Sequence, residues 1–265
     1  MPEMPEVEAV CKRLRLEAEG VMIRRMRVLR PGIVKPQTVS DVEDSCKKVR
    51  LTKVERRGKN ILLHLSSGGV LHVHLRMTGN LYVIPDFRFL VTAVRAVWEL
   101  SDRRGIVFED PRALGRIQLL SDDALPEVGV DPLDTAFTPA VLAKLAKGSK
   151  RPAKIFLLDQ EKVSGLGNIY AAEALYRAGI DPRREIGSLR KDRIAKLHAA
   201  IVSVIKGAVA SVYSKYSKPG QMIGAEEKNL FVYDREGDPC RVCGRPILRI
   251  PQGGRSTYYC GRCQK

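Results

Sequence analysis

Near the C-terminal end the chain reads Cys240-Arg241-Val242-Cys243 and then, 16 residues on, Cys260-Gly261-Arg262-Cys263. A two-residue gap places both thiolates of a pair on one tight turn. Two such turns facing each other close a tetrahedral S4 set, the donor chemistry that suits zinc. Four protein ligands leave no open coordination position, so the ion expected here is one structural zinc rather than a catalytic one. Gly244 and Gly261 fit the turns. Two redox-type pairs are the competing reading, and a small basic module argues against it. Arg241, Arg245, Arg249, Arg255 and Arg262 decorate this module, which makes it a candidate DNA-contacting finger over residues 230–265. Cys11 and Cys46 are left over, and Cys11 reads as a small buried apolar side chain.

The arginines belong to a wider excess. Across 265 residues the chain has 46 Lys and Arg against 30 Asp and Glu, a net charge of +16. Such a surplus favours a polyanion, nucleic acid before an acidic membrane surface, and exceeds what solubility requires. At 44% hydrophobic residues the chain can bury a core. Uninterrupted apolar runs stay short of the roughly 18 residues of a spanning helix. The acidic, proline-broken start Met1-Pro2-Glu3-Met4-Pro5-Glu6 is unlike a signal peptide. The expectation is a cytoplasmic protein, associated with the nucleoid through DNA, with no membrane partner and cysteines not paired as disulfides.

The periodicity divides the chain. A helix is expected over Glu6–Glu19, with Val7, Val10, Cys11 and Leu14 on one face and Gly20 as a stop. Strands are expected at Val49–Val54, Ile61–Leu65, Val70–Leu75, Val97–Leu100 and Ile106–Phe108. Their spacing suggests a sandwich or barrel. Residues 125–137, rich in proline and aperiodic, read as a linker. Helices follow at Thr138–Lys147, opened by Pro139, and at Pro152–Asp159, Ile169–Ala178 and Ser188–Tyr213. Lys215–Asn229 reads as a mobile loop. The expected fold class is α+β and multidomain. It has a strand-rich N-terminal domain, sandwich or barrel, opened by a helix (1–124), a helical domain with its loop (138–229), and the finger.

The chain start also carries chemistry. Methionine aminopeptidases generally remove Met before proline, which leaves a secondary amine at Pro2 with an α-amine pKa of about 8. A secondary amine attacking a sugar aldehyde carbon gives an iminium ion directly, the Schiff-base form of nucleophilic catalysis. Glu3 stands beside it as a proton shuttle. The competing reading makes Pro2 a helix-start residue and the glutamates partners of a helix dipole. Gly165-Leu166-Gly167-Asn168 before a helix offers backbone N–H groups to phosphate. It is not a dinucleotide fingerprint, so no nucleotide cofactor is expected.

Pro2-Glu3-Met4-Pro5-Glu6-Val7-Glu8, Arg56-Arg57-Gly58-Lys59, His74-Leu75-Arg76-Met77-Thr78-Gly79, Asp110-Pro111-Arg112, Leu157-Leu158-Asp159-Gln160, Gly165-Leu166-Gly167-Asn168-Ile169-Tyr170 and the four-cysteine end with Arg255-Ser256-Thr257 occur in this order. Together they resemble the bacterial formamidopyrimidine-DNA glycosylase family, sister to endonuclease VIII, over nearly the whole chain. The resemblance implies a β-sandwich, a helix–two-turn–helix domain and a zinc finger. It also implies a bifunctional DNA glycosylase and AP lyase of base excision repair, acting as a monomer on damaged double-stranded DNA.

By that resemblance Pro2 is the nucleophile at C1′, Glu3 the proton donor and Glu6 its support. Lys59, expected at a strand start, contacts phosphate and donates a proton during β-elimination. Arg255 holds the lesion phosphate and assists δ-elimination. Met77 fills the void left by the extruded base, and Arg112 reads the orphaned base. Lys150, Lys154, Asn168 and Tyr170 are expected on the DNA. The sequence departs from the family pattern where Leu114 replaces a phenylalanine wedge. A histidine upstream of Arg112 is missing, with Arg95 read as its substitute on phosphate. The loop before the finger, Lys218–Gly224, is also unusual. Oxidised purines are the expected substrates because Pro2-Glu3-Met4-Pro5-Glu6-Val7 is closer to the formamidopyrimidine type than to endonuclease VIII, which usually has a glycine at the Met4 position. Oxidised pyrimidines are the alternative, and a non-catalytic zinc-containing DNA-binding protein is the competing class. An RNA-binding zinc ribbon would leave the N-terminal motif unexplained.

Overall fold

The computed structural model describes residues 2–215 and 230–265. The chain forms two compact units that divide at Pro126 and Glu127.

The first unit opens with helix α1 (Met4–Ala18), started by Pro5 and a capping box between Glu3 and Glu6. Such reciprocal caps are worth about 0.5–2 kcal/mol. One face of α1, with Val7, Val10, Cys11 and Leu14, is buried. Eight strands follow: β1 (Met22–Val28), β2 (Val49–Arg57), β3 (Asn60–Leu65), β4 (Val70–His74), β5 (Asn80–Ile84), β6 (Val94–Leu100), β7 (Gly105–Glu109) and β8 (Arg116–Leu120). A short helix α2 (Val39–Ser45), capped by the Thr38 hydroxyl, lies between β1 and β2. The strand order is β5-β7-β6-β1-β2-β3-β4-β8. β1 and β2 share only the pairs Met22↔Arg50 and Ile23↔Val49, so the sheet folds over at that seam into two four-stranded halves. Ile23, Met26 and Trp98 from one half share a core with Leu51, Ile61, Leu63 and Val73 from the other. That is the expected β-sandwich with its flanking helix.

The second unit contains α3 (Pro139–Ala146), α4 (Ala153–Leu158), α5 (Asn168–Ala178), α6 (Lys191–Lys215) as far as Ser211, and the hairpin of β9 (Leu248–Gln252) and β10 (Arg255–Tyr259). The stretch read as a linker is docked on this unit from Glu127 onward. Gly129 N–H donates to Gln160 O at 2.7 Å, and Val130 bridges Val163 in parallel. A Cβ at Gly129 would meet the Lys162 backbone at 2.5 Å, which explains the glycine. α6 is, among the described residues, long and apolar enough to cross a membrane by length and composition, although Lys196, His198, Ser203 and Lys206 break it into short apolar runs. Its buried residues Ile194, Leu197, Ile201 and Ile205 recur at helical spacing along one face, the pattern of a packed amphipathic helix. The remainder of the Lys215–Asn229 stretch, including Lys218–Gly224, lies outside the described residues.

Candidate functional site

In the first unit Pro2, Glu3 and Glu6 are all buried at the start of α1. The Glu6 carboxylate accepts the Glu3 N–H at 2.8 Å. The Glu3 side chain is held in the reciprocal cap, so the two carboxyl groups are fixed in the first turn that follows Pro2. Lys59 occupies the two-residue turn between β2 and β3, not a strand start, because Gly58 takes φ 59° and closes Arg57 onto Asn60. Asn60 Nδ2 donates to Arg57 O at 2.9 Å and fastens that turn. His74, at the end of β4, is pushed down to about 4 by burial and by the charges of Arg76, His72 and Lys59, so it is neutral at physiological pH. Its Nδ1 accepts the Arg76 N–H at 3.0 Å, which fixes the tautomer with hydrogen on Nε2.

Met77 comes from the loop between β4 and β5, and Arg112 and Leu114 from the loop between β7 and β8. Arg112 Nη1 lies 3.4 Å from Met77 Sδ. Met77 and Leu114 keep 43% and 40% of their surface exposed, unusual for large apolar side chains outside a core. Arg76 and Ala113, each adjacent to one of them, adopt φ of 57° and 51°. A non-glycine residue in that region costs of order 1 kcal/mol, and such strain persists where the surroundings impose it. The imposing group is Asp110, fully buried. Its carboxylate accepts from the Thr78 hydroxyl, from Gly115 N–H at 2.8 Å and from Arg112 N–H at 3.3 Å. In sequence Asp110 is marked only by its place in Asp110-Pro111-Arg112; in the structure it holds both loops at once. Arg95 is a correction. Its Nε donates to Asp110 O at 2.7 Å and Nη2 to Pro111 O at 3.0 Å, so it braces this turn rather than standing free for phosphate.

In the second unit Asn168 begins α5 behind Gly167, and Gln160 shapes the preceding turn through Leu166 O and Gly165 N–H. Asn168 Nδ2 donates to Ser256 O at 3.0 Å, while its Oδ1 is buried with no hydrogen-bond partner among the described residues. Lys154 is the second correction. It is fully buried, and its ammonium donates to Ser256 O at 2.8 Å and to the Thr257 hydroxyl at 2.7 Å. A buried charge without acceptors costs several kcal/mol, so Lys154 is committed to the β9–β10 hairpin, not displayed for DNA. Tyr170 is buried and Lys150 exposed. Arg255, exposed at the hairpin tip, lines an open cavity of about 570 Å³ with Glu236, Arg249, Pro251, Gly254 and Ser256.

The four cysteine sulfurs lie within 4.8 Å of one another, with Cys240–Cys263 at 3.9 Å and Cys243–Cys260 at 3.4 Å. Tetrahedral coordination with Zn–S bonds of about 2.3 Å requires sulfurs about 3.8 Å apart, so the set fits zinc. Burial works against the Cys240 thiolate, but the Tyr176 hydroxyl at 3.2 Å and the N–H groups of Val242 and Cys243 outweigh it. The thiol is held down at about 6, in the metal-binding form. Sequence reading missed Glu173, whose buried carboxylate accepts from the N–H groups of Phe231, Val232 and Tyr233 and ties the finger's approach to α5.

A β-sandwich opened by a buried Pro-Glu helix start, and a helical unit closed by a four-cysteine hairpin, define a zinc-finger protein of the helix–two-turn–helix class. The formamidopyrimidine-DNA glycosylase N-terminal domain matches residues 1–117, the helix–two-turn–helix domain of the same proteins residues 128–218, and the zinc finger found in these glycosylases and in isoleucyl-tRNA synthetase residues 237–265. The chain belongs to the formamidopyrimidine-DNA glycosylase family. A curated relative of that name from Pelotomaculum thermopropionicum is 38% identical, covering 100% of this chain and 99% of its own. One from Desulforamulus reducens is 37% identical over the same shares. Among solved structures, the Thermus thermophilus protein is 34% identical with a TM-score of 0.85, covering 99% of this chain and 98% of its own. The Lactococcus lactis protein, crystallised with DNA containing the formamidopyrimidine Fapy-dG, is 27% identical with a TM-score of 0.89 over 100% of both chains.

Proposed function

We propose that the protein is a bifunctional DNA glycosylase and AP lyase of base excision repair that removes oxidised purines, 8-oxoguanine and formamidopyrimidines, from duplex DNA. The observation that carries this reading is the start of α1: a prolyl residue followed by two buried glutamates locked by reciprocal hydrogen bonds. Pure DNA binding needs none of them.

With Met1 removed, the Pro2 nitrogen attacks C1′ of the damaged nucleotide. Glu3 supplies the proton that lets the ring oxygen and the base depart, and Glu6 holds the Glu3 backbone. The resulting iminium ion is permanently cationic and acts as an electron sink. Loss of a proton from C2′ then breaks the C3′–O bond, and a second elimination breaks C5′–O, leaving a one-nucleotide gap. Lys59 is the proton donor and phosphate contact for the first elimination, and Arg255 the phosphate contact for the second. Asn168 and Lys150 hold backbone phosphate. The zinc ion, when bound, supplies no chemistry and fixes the hairpin that carries Arg255. The protein is read as a monomer working on chromosomal DNA in the cytoplasm.

The test is borohydride reduction of mixtures with duplexes carrying an abasic site, 8-oxoguanine or an oxidised pyrimidine, with mass spectrometry of the N-terminus. A covalent adduct on Pro2 supports the lyase, and the duplex that traps best decides the lesion class. No adduct from protein beginning at Pro2 leaves a non-catalytic DNA-binding protein.

Met77 and Leu114 are proposed to fill the space vacated by the extruded base. Because both are already exposed, Met77→Ala is expected to change stability by no more than about 0.5 kcal/mol. Removal of 8-oxoguanine should slow by about tenfold, a loss of about 1.4 kcal/mol in unstacking compensation. Cleavage at a preformed abasic site should change by less than about threefold, since no base has to be extruded there. Equal loss on both substrates would refute the void-filling assignment.

A further inference from the structure

Arg56, the first residue of the Arg56-Arg57-Gly58-Lys59 motif, has no task in the mechanism above, yet its side chain is only 7% exposed. Its Nε donates to the Glu8 carboxylate at 2.5 Å, and its Nη1 donates to the carbonyl of Gly58 at 3.2 Å. Glu8 belongs to α1, the helix whose first residues fix Glu3 beside Pro2. Gly58 is the residue of positive φ in the turn that carries Lys59. Glu8 is itself held from the other side by Arg15 Nη1 at 2.9 Å, and Arg15 Nε is anchored on Val54 O at 2.9 Å.

From these contacts we infer that Arg56 is a positioning residue. With Glu8 it sets the Lys59 turn at a fixed place relative to the helix that presents Pro2. This inference rests on the lyase reading of Pro2 and Lys59. The physical case is one of geometry rather than stability. A guanidinium offers several donors in a rigid plane, so one side chain can hold a carboxylate on the helix and a carbonyl in the turn simultaneously. A lysine ammonium at the same place keeps the charge but lacks that planar fork. Asn60 Nδ2 on Arg57 O at 2.9 Å ties the turn to its own strands, whereas Arg56 reaches from it to α1. Elsewhere along α1 and β2, other ties secure the packing: Glu19 Oε2 accepts Val54 N–H at 3.0 Å, and Gly20 N–H donates to Leu51 O at 2.7 Å. Packing of the helix therefore does not depend on Arg56 alone, whereas the contact with Gly58 O does.

The experiment uses full-length, zinc-loaded protein and a duplex with an abasic site, comparing wild type with Arg56→Lys, Arg56→Ala and the charge-swapped double variant Glu8→Arg/Arg56→Glu. Single-turnover strand cleavage, borohydride trapping, duplex affinity and melting temperature are measured. The expected result is a tenfold or greater fall in the β-elimination rate for Arg56→Lys and Arg56→Ala. Duplex affinity should stay within twofold, and trapping should be close to wild type, because attack by Pro2 precedes the step that needs Lys59. In the double variant the ion pair is restored but a glutamate cannot donate to Gly58 O, so melting temperature recovers while the elimination rate does not. Unchanged elimination in the single variants, or recovery of rate together with melting temperature in the double variant, overturns the positioning role. Absence of any adduct or cleavage from wild type overturns the lyase reading and this inference with it.

Discussion

Adding two residues ahead of Pro2, so that its nitrogen becomes an amide, is expected to abolish the borohydride-trapped adduct while leaving affinity for an abasic-site duplex within about twofold. An amide nitrogen has no available lone pair, so the iminium route through Pro2 is closed. The subtler variant is Pro2→Gly. A glycyl α-amine is still a nucleophile with a pKa of about 8, but the imine it forms must be protonated before it can draw electrons from C2′. It also loses the ring that restricts the nitrogen's direction. We expect elimination to slow by about 100-fold, the scale of a misaligned or mis-protonated group. Pro5 already sets the first helical turn, so the loss of the Pro2 ring should cost no more than about 1 kcal/mol of stability. Mass spectrometry of each protein establishes which residue begins the chain. Undiminished trapping by the extended protein would place the nucleophile elsewhere.

What the sequence disclosed, and what it withheld, follows from the range of the contacts. The zinc ligands were legible because each pair sits on one turn. α1 and α3 were legible because their caps and periodicity are local; the Thr138 hydroxyl indeed accepts Val141 N–H at 3.2 Å. β1 was missed because a bulge between Ile23 and Arg25 leaves Ile23 and Met26 buried three residues apart, which breaks the two-residue alternation. β5 was missed because all five of its residues are buried, so it shows no alternation at all. Lys154 looked like a surface lysine. Its acceptors lie more than 100 positions away on a hairpin whose docking no local pattern announces. Arg56 and Glu8 are 48 positions apart, and their junction became visible only once β2 was laid against α1. The candidate chemistry was thus carried by motifs, while the parts that hold it in place were carried by long-range contacts.

Removing zinc is expected to unfold the finger and lower affinity for damaged duplex by tenfold or more, with readdition of zinc restoring it. Structural zinc in finger peptides contributes about 10–16 kcal/mol, comparable to or larger than the stability of a whole small domain. The hairpin cannot substitute for it, since two strands alone are marginally stable in water. Its own packing rests on the cysteine cluster through Tyr176, Val232, Ile247 and Tyr258. The damage should reach the ends of the module and then stop. Gln264 Nε2 donates to Ile180 O at 2.8 Å, and its Oε1 accepts Cys260 N–H at 2.9 Å, so the finger's last turn is fastened to the end of α5. Ser256 O, the acceptor of Lys154 and Asn168, lies on the same hairpin, and its loss would weaken the hold on a buried ammonium. The fully buried Leu157, Leu175, Leu197, Ile201 and Ile205 lie on α4, α5 and α6, away from the cysteines, so most helical signal in circular dichroism should survive chelation. Cys260→Ser should reproduce the effect without chelator, because it leaves three thiolates and an incomplete tetrahedron. Lys154→Met separates the two contributions: it removes the buried charge and its hydrogen bonds but keeps the zinc. If Arg255 is presented by the hairpin as proposed, this variant should hold zinc normally yet lose affinity for damaged duplex. Normal affinity in chelated protein would show that the finger is not the contact, and that Arg255 has no part in holding phosphate.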